Sequence, residues 1–318
     1  MFVGCDRNEG RYQKKERCNM KKRRIAVILT VCLLAGLNSN NKDAAKEIEN
    51  KIVSSKTQKR VAVEKNKKCL IDYSDVSSGR IAVKYTEKTT KRIKAQVTGP
   101  DKVVYTYDIK AGRNEVFPLT AGNGEYTVGV YQNVKGSSYS LVLSTKIKAK
   151  LKSEFAPFLL SNQYVNYNSK TKVVAKAASL TKGIKDPLKK VKTIYNYVVK
   201  NYSYDKKKAK TVQAGYLPDL DKIYKSKKGI CFDYAATMTA MLRSQKIPSK
   251  LVVGYAGNVY HAWVSVYTKE HGWVDGVIYF DGVNWKLMDP TFASTGNASK
   301  EVMSYIKNAK NYKQKYIY

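Results

Sequence analysis

Gly229-Ile230-Cys231-Phe232-Asp233-Tyr234-Ala235 is the stretch on which the fold of this chain turns. A glycine that lets the backbone bend sharply precedes a cysteine. An apolar stripe then runs from that cysteine through Tyr234, Ala235, Met238, Met241 and Leu242. These fall three, four, seven, ten and eleven residues beyond Cys231, the spacing of one helical face. The spacing predicts a buried helix with Cys231 in its first turn. A helix N-terminus and nearby cations favour the thiolate, the nucleophilic form of cysteine, and Lys227 and Lys228 stand just upstream. The same helix end offers backbone N–H groups to an oxyanion. Taken alone, Cys231 also reads as a small buried apolar residue on its stripe.

Working outward, Tyr260-His261-Ala262-Trp263-Val264-Ser265-Val266 follows thirty residues after the cysteine. Its period of two predicts a strand with Ala262, Val264 and Val266 on one face and His261, Trp263 and Ser265 on the other. A histidine there can be a satisfied structural residue. It is, however, one of only two in the chain, and the other, His271, lies in the turn-like Lys269-Glu270-His271-Gly272. An imidazole that moves protons needs a third group to orient it, for which Asp289 and Asp275 are the candidates. A hairpin around Glu270 sets Asp275 opposite Ser265, four residues from His261 and about 13 Å away at ~3.3 Å per residue. Asp289 reaches the ring if residues 285–288 pair with the histidine strand and 276–284 bulge out as a separate hairpin. Trp263 walls a cleft or packs. Asp233 suits the helix dipole. The lysines of 206–210 read as a solvated loop or, near a cleft, as a steering patch for acidic substrates.

The segments 229–235 and 260–266, with Asp289-Pro290-Thr291, resemble the three motifs of the transglutaminase-like domain family. The resemblance spans residues 155–295. It implies a papain-like fold and a Cys-His-Asp triad, with Cys231 as nucleophile, His261 as general base and acid, and Asp289 as orienting carboxylate. The implied activity is acyl transfer from a carboxamide to an amine or to water. Peptidase or amidase chemistry on the same fold, or a non-catalytic cell-wall or polyanion-binding module, are the alternatives. The implied partners are proteins or peptides that offer Gln and Lys side chains or peptide amides. The layout also resembles secreted bacterial proteins that join a β-sandwich to such a domain.

The rest of the chain fits that layout. Residues 80–85, 103–109, 126–131 and 139–145 alternate apolar and polar side chains, with turn signals such as Gly99-Pro100-Asp101 and Gly122-Asn123-Gly124 between them. They predict a small all-β sandwich over 67–150. Beyond it, Asp186-Pro187 caps a helix whose face is Leu188, Val191, Ile194, Tyr195 and Val198. Strands return after Pro248, giving an α+β domain over 151–318. Residues 41–66 read as a polar tether.

The first forty residues read as a targeting segment. Lys21, Lys22, Arg23 and Arg24 precede an apolar run from Ile25 to Leu37, too short for a comfortable membrane span, and translation can start at Met20. Export to the medium or the cell surface is the expectation, with an uncleaved N-terminal anchor as the alternative. Cys5, Cys18 and Cys32 then fall outside the mature chain, which keeps Cys69 and Cys231, expected to be unbridged. The 318 residues are 43% hydrophobic and carry a net charge of +34, so a disordered chain is excluded and polyanions such as an anionic cell wall are favoured partners. No nucleic-acid motif accompanies the charge, and export argues against nucleic acid. Two histidines and five cysteines offer too few ligands for a Cys/His zinc site, and no calcium-loop pattern occurs, so no metal or cofactor is expected.

Overall fold

The alternating strands of the first half form two four-stranded antiparallel sheets. In the computed structural model, which describes residues 62–269, 272–274, 278–280, 285–287 and 312–318, the first sheet contains β1 (Val63–Lys65), β2 (Cys69–Asp72), β3 (Arg80–Tyr85) and β6 (Asn114–Pro118) in the order β1-β2-β3-β6. The second contains β4 (Ile93–Thr98), β5 (Val104–Ile109), β7 (Gly124–Lys135) and β8 (Ser138–Ala149) in the order β5-β4-β7-β8. Each inner face is apolar: Ile81, Val83 and Tyr85 on one sheet, and Ala95, Val97, Tyr105, Tyr107, Val128 and Val130 on the other, are all buried. That is the expected sandwich. Strand β4 was not among the sequence's expected strands. Ile93, Ala95 and Val97 point inward, while Lys94, Gln96 and Thr98 dilute the apolar signal.

Helices follow at Lys172–Leu180, Pro187–Asn201, Lys206–Thr211, Leu220–Ser226 and Cys231–Ser244. The expected cap holds: Asp186 accepts from Leu188 N (2.8 Å) and Lys189 N (3.4 Å), and Val191, Ile194, Tyr195 and Val198 are buried. A four-stranded antiparallel sheet completes the α+β region. It comprises β11 (Ser249–Ala256), β12 (Val259–Thr268), β13 (Gly272–Val274) and β16 (Tyr312–Ile317), in the order β13-β12-β11-β16. The helix Cys231–Ser244 is the centre of this region, buried from Asp233 through Arg243. Near its end Arg243 donates to the main-chain oxygens of Ser249, Leu160 and Tyr318 at 2.6–2.9 Å, tying helix, sheet and the approach from the sandwich together.

Three further departures from the sequence reading lie in the α+β region. The lysines of 206–210 are not a loop but the helix Lys206–Thr211, because Asp205 caps it by accepting from Lys208 N at 2.9 Å. Strand β16 was not expected, since its sequence Tyr-Lys-Gln-Lys-Tyr-Ile has little apolar alternation. Residues 285–287 were expected beside the histidine strand. They form β15 (Trp285–Leu287), paired with β14 (Ile278–Phe280) in a separate two-stranded sheet. Pairing with a strand so near in sequence closes only a short loop. The targeting segment, the cysteines before residue 40, His271, Asp275 and Asp289 lie outside the described residues. Among the described residues, no helix is long and apolar enough to cross a membrane.

Candidate active site

Gly229 is where the site begins. A Cβ at this position would lie 2.6 Å from the Asp233 Cβ, so only glycine lets the chain pass so close to the helix it is about to enter. It pairs with Tyr204 in the short parallel bridge of β9 (Ser203–Tyr204) and β10 (Lys228–Gly229). The backbone then turns at Ile230, and Cys231 is the first residue of the helix, partly exposed. Asp233, wholly buried, reaches back to accept from Ile230 N at 2.9 Å. This fixes the entry of the chain into the helix that carries the thiol.

His261 arrives from the sheet. It sits in β12 opposite Gly254 of β11 and is buried. Gly254 is a second obligatory glycine, because a Cβ there would fall 2.1 Å from the Lys313 carbonyl oxygen of β16 and 3.0 Å from Trp263 Cη2. Trp263 is not in the cleft lining. It stacks on His261 with ring centroids 6.3 Å apart and meets Tyr312 edge-on at 5.3 Å. Of the two roles expected for it, packing is the one the fold gives.

Cys231 and His261 line one cleft of about 490 Å³, together with Tyr164, Tyr216, Phe232 and Tyr260. Among its described lining residues there is no Lys, Arg, Asp or Glu. A larger polar crevice of about 880 Å³, lined by Arg80, Glu115, Asn162 and Asp219 among others, contains neither residue. The smaller cleft is therefore the candidate, because it joins a thiol to an imidazole. The phenol of Tyr260 is pushed up by burial and by the nearby Tyr316, Tyr255 and Cys231 groups.

Three residues that the sequence reading gave no shared role meet behind the thiol. Lys208 Nζ lies 2.5 Å from Asp233 Oδ2 and 2.5 Å from the Tyr216 hydroxyl, while Tyr216 OH donates to Asp233 Oδ1 at 2.6 Å. Burial, then the Asp233 carboxylate, raises the Tyr216 phenol far above its ordinary value. Lys208 thus points to Asp233 and Tyr216 instead of into solvent. Lys227, expected to lend charge to the thiol, sits over the ring of Tyr224 at 3.6 Å and donates to Tyr197 OH at 2.9 Å. The one sequence signal for this network was a carboxylate two residues into a buried helix, which demands a partner. Cys69 and Cys231 are both free, as expected, and burial pushes the Cys69 thiol up to about 11.

The family comparison falls on the same region. Residues 174–276 match the Transglutaminase-like superfamily. That stretch runs from the first long helix past β13 and includes both Cys231 and His261. The chain is also similar to the uncharacterized protein YebA of Bacillus subtilis, with 26% identity over 206 residues, or 57% of this chain. It spans about a quarter of that relative's length, 27%. Among solved structures it resembles the periplasmic domain of TgpA from Pseudomonas aeruginosa (TM-score 0.33, 16% identity, 77% of each chain covered). It also resembles red sea bream transglutaminase (TM-score 0.32, 15% identity, 69% of this chain and 48% of that one). A β-sandwich followed by an α+β region, of which residues 174–276 match the superfamily model, is the architecture of this protein.

Proposed function

We propose that this protein is an exported thiol enzyme that acts on amide bonds. Cys231 Sγ attacks a carboxamide carbon, the thiol proton passes by way of His261 to the leaving ammonia or amine, and a thioester remains. An amine then attacks the thioester and loses a proton to His261, which returns it to the Cys231 sulfur as the thioester breaks. With a Gln donor and a Lys acceptor the product is an isopeptide bond. With water it is deamidation or cleavage. Asp289 is assigned the orienting carboxylate on the strength of its Asp-Pro-Thr motif. A carboxylate beside the imidazole favours its cation and fixes its tautomer.

The observation that carries this reading is the shared cleft of a helix-start cysteine and a strand histidine. The absence of charged side chains from its described lining suits a neutral carboxamide. The net charge of +34 supports association with an anionic cell wall that would bring the enzyme to surface proteins. The test is incorporation of a labelled primary amine into a Gln-containing protein, followed beside ammonia release. Activity above background that Cys231→Ser reduces by at least about 10³-fold supports the reading. Ammonia release without amine incorporation assigns hydrolysis. No turnover, with Cys231 inert to iodoacetamide between pH 6 and 8, leaves the binding module as the function.

A further inference from the structure

A carboxylate near a catalytic thiol is a liability. Asp233 is two residues from Cys231 on the same first helical turn, and its side chain is completely buried. A negative charge there closes the helix entry through Ile230 N, but in a poorly solvated place it opposes formation of a second negative charge on sulfur. The fold answers with a cation from another helix. Lys208, in the helix Lys206–Thr211, lays its ammonium 2.5 Å from Asp233 Oδ2 with its side chain only 25% exposed. Its ammonium also lies 4.2 Å from the centroid of the Tyr216 ring, which lines the cleft.

We propose that Lys208 is a positioning residue for the Cys231 thiol, neutralising Asp233 so that this carboxylate can lock the helix start and hold Tyr216 over the cleft without suppressing the thiolate. The proposal rests on the reading of Cys231 as the nucleophile. It goes beyond that reading by assigning a role to a lysine that touches neither substrate nor sulfur. The groups facing Cys231 across the cleft are the phenols of Tyr164, Tyr204, Tyr216, Tyr260 and Tyr318 and the imidazole of His261. Phenols ordinarily ionise near pH 10 and burial raises those of Tyr164, Tyr216, Tyr260 and Tyr318 further, so these four stay neutral between pH 5 and 9.

The test uses the full chain and reads the rate of iodoacetamide alkylation at Cys231, by peptide mapping, from pH 5 to 10. Lys208→Met is expected to slow alkylation at pH 7 about five- to tenfold and to move the profile to higher pH. Lys208→Arg restores the parent profile. Asp233→Asn, whose amide oxygen can still accept from Ile230 N, moves the profile to lower pH. The double variant Lys208→Met with Asp233→Asn lies between the two. Opposite displacements of one profile are not produced by a pair that only holds the fold together. If Lys208→Met lowers the melting temperature but leaves the profile in place, the proposal is overturned. Should Lys208→Met not fold, Asp233→Asn decides alone: a shift to lower pH supports the proposal and an unchanged profile overturns it. A parent Cys231 that stays inert across the whole range overturns both the proposal and the nucleophile reading. Reactive Cys231 with unmoved variants overturns the proposal only.

Discussion

Two cysteines of one chain show how far environment decides chemistry. Cys69 points into the sandwich core with no exposed surface, whereas Cys231 opens onto a cleft that also holds an imidazole. Burial raises the Cys69 thiol to about 11, because the interior cannot solvate the thiolate. The fold therefore keeps this thiol neutral. The stability this contributes is complete below the ordinary thiol value, near ~8.5, and is lost as pH rises through about 11. Native protein at pH 8.5 is expected to label at Cys231 and to leave Cys69 unlabelled until denaturant is added. Equal labelling of both in the native state would mean that the sandwich core opens on the labelling timescale. The sequence could place both residues on strand or helix patterns. It set Cys231 apart by its helix-start context, but how far each thiol is exposed is made by elements distant in the chain.

At the level of elements, legibility followed the strength of local signals. The cap at Asp186 and the stripe from Cys231 to Leu242 were readable because helix start and helix face are encoded within a dozen residues. The histidine strand was readable from its alternation. Its neighbours were not: β16 comes from the far end of the described chain and carries three polar residues at its centre. That strand explains Gly254, whose need for glycine is invisible without it. Along β11 the pairing with β16 shifts between Val253 and Gly254, and there the Lys313 carbonyl enters the space a side chain would fill. Gly254→Ala is expected to push β16 away and to tilt β12 through Trp263, costing about 1–3 kcal/mol, the usual range for overpacking. Thermal melting with near-ultraviolet circular dichroism would register both effects. A variant as stable as the parent, with an unchanged tryptophan signal, would show that the strand yields without cost. The orienting carboxylate shows the opposite limit. Register through β13 runs as the hairpin reading requires, with Val274 opposite Val266, while Asp289 itself lies outside the described residues.

Across the whole molecule the unusual abundance of tyrosine acquires a structural meaning. Tyr105 and Tyr107 of the sandwich interdigitate with Tyr164, Tyr316 and Tyr318 of the α+β region. Tyr105 meets Tyr318 edge-on at 5.5 Å, Tyr107 meets Tyr164 at 5.6 Å, and Tyr164 meets Tyr318 at 4.3 Å. Gln163 Nε2 donates across the same seam to the Asp108 carbonyl at 2.7 Å. Tyr164 and Tyr318 also line the candidate cleft, so the seam that joins the two regions is one wall of the site. These rings bury large apolar bodies that favour edge-on packing, which ties the two regions into one cooperative unit. Burial raises the phenols: Tyr164 and Tyr167 to about 12, and Tyr107 and Tyr318 well above their ordinary value. An acid whose folded value is raised stabilises the fold fully below its unfolded value, near ~10, and loses that contribution as pH rises towards the folded value. A single melting transition is therefore expected at pH 8, moving to lower temperature between pH 10 and 12. Ultraviolet titration should show exposed tyrosines ionising first and the seam ionising only together with unfolding. Tyr318→Ala, which opens the seam, should lower the transition at pH 8 and bring part of the late titration forward. If the sandwich and the α+β region melted separately in the parent protein, the seam would not couple them, and the tyrosine wall of the cleft would have to be held by its own region alone.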